Sequence, residues 1–222
     1  MTVVRNLEPY TEYSFFVRSE RGQQIGENGT ELAYTKLSPT QNVEIKERTD
    51  KTTRLSWNDV HGATSYTILY QSLKPVENKE LSISVKGTKN KLLGLLPGST
   101  YRLEIIAEAS ETTGHPKKQS FDTYLETPLG LETVQFHTSS AKLCWDDVFM
   151  AEGYTINYGS LRPEDKTARF KDFTEFEEAG KPCGFVDDLL PGLMYRYTIW
   201  GWNTNYEGLR YWWSLKVRKI II

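Results

Sequence analysis

A seven-residue pattern, Leu-x-Pro-x-x-x-Tyr, occurs three times: Leu7 to Tyr13, Leu95 to Tyr101 and Leu189 to Tyr195. Each copy runs into alternating apolar residues, the period of a strand with one buried face. The three tyrosines lie 88 and 94 residues apart. That is too far for the units of a solenoid and right for whole small β domains in series. A second landmark keeps the period. Trp57 and Trp145 close the alternating runs Thr53-Arg-Leu55-Ser-Trp57 and Ala141-Lys-Leu143-Cys-Trp145, and they are 88 apart. The chain is expected to be all-β, with a partial repeat at 1–37 and full repeats at 38–127 and 128–222.

The middle repeat offers seven strands: 40–46, 53–57, 66–70, 81–85, 91–95, 100–109 and 119–126. Pro97-Gly98 supplies a tight corner between two of them. The last repeat follows the same order with 133–138, 141–145, 154–158, 184–189, 194–202 and 210–217. It is six residues longer between its Trp and its Tyr, and the excess is placed in 166–182. There Phe170, Phe173 and Phe176 recur every third residue, the spacing of one face of a short helical turn. Residues 1–37 hold only the equivalent of the last three strands, so Val4, Leu7, Tyr13, Phe15 and Val17 point to a core whose other half is absent. The chain is therefore expected to be a fragment of a larger protein.

Charge is balanced, 27 basic against 29 acidic residues, so there is no electrostatic footprint for nucleic acid. No apolar run nears the ~18 residues of a membrane span. This segment is expected not to insert in a membrane, which leaves open a spanning segment elsewhere in the parent protein. The start lacks the apolar stretch of a secretory signal. His61, His115 and His137 are the only histidines; His61 and His115 are expected at one end of the middle repeat, but two histidines without a third ligand make a weak case for a metal site. Asp146-Asp147 and Asp187-Asp188 are adjacent pairs, which point opposite ways in a strand and cannot act as an acid/base couple. No cofactor, metal or catalytic group is expected, and the chain is not read as an enzyme.

With an inward Trp on the second strand and Leu-x-Pro-x-x-x-Tyr before the sixth, the chain resembles the fibronectin type III family over nearly its whole length. The resemblance implies tandem immunoglobulin-like, seven-stranded β-sandwiches. It also implies a structural role for Tyr13, Tyr101 and Tyr195, whose hydroxyls bond back to backbone at the corner. The family serves mostly as spacers and binding modules in receptors, adhesion and matrix proteins. The adhesive Arg-Gly-Asp loop of that family has here Arg21-Gly22-Gln23. An amide is a poor substitute for the carboxylate that a metal-centred partner needs, so no such site is carried over.

In the last repeat, period two turns Tyr195, Tyr197 and Ile199 inward and Arg196, Trp200 and Trp202 outward. The following strand adds Tyr211, Trp212 and Trp213. This face is the expected binding surface, for a protein partner or alternatively a glycan. A Trp–Arg stack that only stiffens the sheet is the competing reading. In the resembled fold, Cys144 and Cys183 fall on adjacent antiparallel strands of one sheet, outward and opposite each other. A disulfide between them would indicate an oxidising compartment, whereas two unpaired thiols would indicate the cytosol. Asn28-Gly29-Thr30 is a glycosylation acceptor triplet in a loop. The functional expectation is a non-catalytic extracellular or cell-surface spacer and protein-binding segment. The alternatives are an intracellular structural array and a sugar-binding accessory module.

Overall fold

The structure, a computed structural model, describes residues 3–77, 79–161, 169–174, 181–204 and 206–207. They fall in two compact units. One comprises Met1–Glu47, Thr53–Leu92 and Thr100–Phe121; the other comprises Arg48–Thr52, Leu93–Ser99 and Asp122–Ile222. All the regular elements among the described residues are strands.

The first unit opens with β1 (Glu12–Val17), the short pair β2 (Glu20–Arg21) and β3 (Gln24–Ile25), and β4 (Gly29–Tyr34). β1 pairs with β4, and β2 with β3. Phe16, Val17 and Leu32 are exposed on this hairpin. The middle repeat then contributes β5 (Glu44–Lys46), β6 (Thr53–Ser56), β7 (Ser65–Lys74), β8 (Leu81–Val85), β9 (Lys89–Leu92), β10 (Thr100–Glu108) and β11 (Lys117–Asp122). They form a three-stranded sheet, β5-β6-β9, and a four-stranded sheet, β11-β10-β7-β8. Alternation decides the core: Leu55, Tyr66, Ile68, Leu92, Leu103 and Ile105 are fully buried, each on the inward phase of its strand.

The second unit repeats this plan with β12 (Glu132–Phe136), β13 (Ala141–Cys144), β14 (Gly153–Ser160), β15 (Arg169–Phe173), β16 (Cys183–Val186), β17 (Tyr195–Asn203) and β18 (Tyr206–Glu207). The sheets are β12-β13-β16 and β15-β14-β17-β18. The expected strand at 210–217 lies outside the described residues. The expected helical turn at 170–176 is corrected: Phe170 and Phe173 lie on a strand, and Phe176 is outside the described residues. Tyr154 pairs with Phe173 as Tyr66 pairs with Val85, so β15 occupies the place of β8. Three residues apart on a strand, the two rings take opposite faces. Phe173 packs inward against Trp145, ring centroids 5.8 Å apart, and Phe170 stays outside.

The corners explain the founding motif. The Tyr195 hydroxyl accepts the Leu190 N–H at 2.7 Å and the Tyr13 hydroxyl accepts the Glu8 N–H at 3.0 Å. Gly98 and Gly192, just after the corner prolines, sit at φ 59° and 74°, a left-handed conformation that glycine takes without penalty. Tyr10 holds the same place after Pro9 at φ 49°, a strain of about 1 kcal/mol for a residue with a side chain.

A second device also recurs. The Tyr66 hydroxyl accepts the Val60 N–H (2.8 Å) and donates to Asp59 (2.7 Å); Tyr154 does the same with Val148 (2.6 Å) and Asp147 (2.7 Å). Burial, helped by the Asp147 bond, raises the Tyr154 pKa. Burial, with Tyr195 and Tyr158 adding, pushes Tyr197 up to about 12. Both phenols are therefore held neutral in the fold. The unfolded chain ionises near the ordinary value of 10.0, so this contribution to stability is complete below pH 10. It drains away as pH rises through about 12. Unfolding midpoints of the last repeat are expected to drop across that window. Phenolate absorbance at Tyr197 appearing near pH 10 with the fold intact would contradict this.

Candidate functional site

The expected binding face is the outer side of β15-β14-β17. Register fixes its members: Thr155 lies opposite both Trp200 and Asp172, Asn157 opposite both Thr198 and Phe170, and Gly153 opposite Trp202. The outward phase of Arg196, Trp200 and Trp202 is as expected. Their exposure is not. Trp200 is only 5 % exposed and Trp202 is half-buried, while Arg196 is open to solvent. The open aromatic platform anticipated from the sequence is thus corrected to a largely covered one. Phe170, 61 % exposed, meets the Trp200 indole edge to face at 6.3 Å. Thr155 and Thr198 are buried on the same face, and the Thr155 hydroxyl donates to Asp172 at 2.5 Å.

Trp202 is seated by a missing side chain. A Cβ on Gly153 would fall 2.4 Å from its indole, so glycine there makes the room that the ring fills. Gly184 does the same for Phe173, at 2.1 Å. Tyr211, Trp212 and Trp213 lie outside the described residues. What the face offers a ligand among the described residues is a guanidinium at Arg196 and the open ring of Phe170, backed by buried indole.

Cys144 and Cys183 are directly opposed on β13 and β16 and form a disulfide, with Cα atoms 4.1 Å apart. The expectation that they face outward needs one correction: both are buried. Asn28 is exposed in the loop before β4.

The acidic pairs serve the fold. Asp147 holds Tyr154, Asp146 pairs with Lys181 at 3.1 Å, and Asp187 pairs with Lys171. Sequence reasoning read these carboxylates only as pairs unable to act together and missed the Tyr–Asp bonds; the shared seven-residue spacing of Asp59 to Tyr66 and Asp147 to Tyr154 was the available signal. No cluster of three or more His, Cys, Asp or Glu able to hold a metal occurs among the described residues. No described helix is long and apolar enough to cross a membrane.

Comparison with known proteins agrees with the architecture. The family profile of the fibronectin type III domain matches residues 38–123. Tenascin-N of Mus musculus is 25% identical over 200 residues, covering 90% of this chain and 12% of that protein. The collagen alpha-1(XII) chain of Oryctolagus cuniculus is 27% identical over 206 residues, covering 89% of this chain and 31% of that protein. The chain thus spans less than a third of the length of either relative. A two fibronectin type-III domain segment from chicken tenascin superimposes with a TM-score of 0.56 at 22% identity, covering 80% of this chain and 99% of that one, and so shares the fold. Residues 38–123 are a fibronectin type III domain, and the chain is built of fibronectin type III repeats.

Proposed function

We propose that this chain is a non-catalytic matrix or adhesion segment that works outside the cell as a spacer and protein-binding surface. Its repeats would span 1–37 (partial), 38–127 and 128–222. The observation that carries the reading is the combination of tandem sandwiches with likeness to tenascin and collagen chains. The buried Cys144–Cys183 bridge supports an oxidising compartment. The exposed Asn28 acceptor is consistent with passage through the secretory route. The carboxylates of Asp59, Asp147 and Asp187 are engaged in structural contacts, which supports a binding role over catalysis.

The proposed contact surface is the outer face of the last repeat, read by a protein through Arg196 and Phe170. Trp200 and Trp202 act as its rigid backing. Exposed aromatic and arginine side chains are the usual anchors of protein interfaces. Cell attachment to surfaces coated with the secreted full chain tests this. The double substitution Phe170→Ser and Arg196→Ala changes only exposed groups, so it should weaken attachment several-fold with the fold kept. Undiminished attachment would remove the surface. Intact mass with and without reduction tests the location. Both cysteines should resist alkylation until reduced, and Asn28 should carry a glycan. Two freely alkylated thiols and no glycan would move the chain to the cytosol.

A further inference from the structure

Asn28 is followed by Gly29, the only Asn-Gly pair in the chain. Asn28 is exposed, and residues 26–28 lie outside any strand. Gly29 opens β4, paired with Val17 at the end of the β1–β4 ladder. A ladder end opens more readily than its middle. Three other asparagines are differently placed. Asn203 donates to the Met150 carbonyl at 3.0 Å, the Asn90 carboxamide oxygen is buried, and exposed Asn42 is followed by β-branched Val43.

We propose that Asn28 is a site of spontaneous, time-dependent deamidation. With no side chain on Gly29, its backbone nitrogen is free to approach the Asn28 carboxamide. Base removes the Gly29 N–H proton. The nitrogen then attacks Asn28 Cγ, an N–Cγ bond forms, the Cγ–Nδ2 bond breaks and ammonia leaves. The product is a five-membered cyclic imide. Water opens it at either carbonyl: breaking the new N–Cγ bond gives aspartate, and breaking the original peptide C–N bond gives iso-aspartate. No electron changes hands. Either product places a new carboxylate between Glu27 and Glu31. Iso-aspartate also routes the backbone through Cγ, lengthening the chain just where β4 begins. The nitrogen lost is the one a glycan would occupy, so an Asn28 that has reacted cannot be glycosylated.

The geometry provides a clean variant. A Cβ on Gly29 would meet nothing nearer than the Val17 carbonyl oxygen at 3.7 Å, and its φ is not left-handed. Gly29→Ala therefore fits the hairpin while crowding the attacking nitrogen. The experiment incubates the unglycosylated full chain in mildly alkaline buffer. Conversion is followed by peptide mapping and enzymatic methylation of iso-aspartate. The peptide containing Asn28 should gain the mass of OH replacing NH2 and take up methyl groups, several-fold faster than the one containing Asn42. Gly29→Ala should slow it several-fold. Equal rates at Asn28 and Asn42, or an unchanged rate in Gly29→Ala, would overturn the proposal.

Discussion

Truncating Trp145 to alanine is expected to cost the last repeat about 3–5 kcal/mol, the largest single-residue loss available in that sandwich. Trp145 is fully buried, with Tyr154 at 5.3 Å and Phe173 at 5.8 Å, both edge to face. Removing it leaves a cavity bordered by two aromatic rings fixed on β14 and β15, where collapse would break their strand register. Its indole N–H has no hydrogen-bond partner, so no favourable bond is lost and the whole effect is packing. A typical domain has a stability of about 5–15 kcal/mol; the loss takes a large part of it. Hydrogen exchange reads the result locally, which matters because repeats need not unfold together. Protection should fall across β13, β14 and β17 and persist across β6, β7 and β10. A change below about 1 kcal/mol would mean the site relaxes around the gap and that the indole is not the centre of the core.

Breaking the Cys144–Cys183 bridge is the second large effect. The bond closes a loop of sequence separation 39, and the chain-entropy model assigns such a closure about 4 kcal/mol of stabilisation. Strain would reduce that figure, while the burial of both cysteines adds packing to it. The middle repeat contains no cysteine and serves as the internal control. Reductant, or the pair Cys144→Ala and Cys183→Ala, should lower the denaturant midpoint of the last repeat and leave the middle one unmoved. A bridge that contributes nothing would leave both midpoints unchanged.

The parts legible in the sequence were those fixed by local rules. Period two gave the inward phase of Trp145, Tyr195, Tyr197 and Ile199, and all four are buried. Pro97-Gly98 marked the corner before β10, where Gly98 sits at φ 59°. β15 escaped because Phe170 and Phe173 imitate helical spacing; strand pairing with β14 overrode it and gave each ring its own face. The accessibility of Trp200 was equally hidden. Strand phase says which side a residue takes, but not what lies over that side. Gly153 was silent for a related reason: the meaning of a missing Cβ depends on Trp202, forty-nine residues away in sequence and opposite in space. The Tyr–Asp bonds were invisible because an aspartate in a loop looks solvated until a buried phenol is placed against it.

The bridge between β13 and β16 also has a mechanical meaning. A repeat in a series carries any tension applied to the chain, and unfolding under load releases its length. Extended chain spans at most about 3.3–3.6 Å per residue, so the 39-residue separation between the two cysteines represents on the order of 130 Å. While the bond holds, that stretch stays out of the load path even after every strand has come apart. The middle repeat has no such limit. Under load the two would lengthen by different amounts, and reducing conditions would remove the difference.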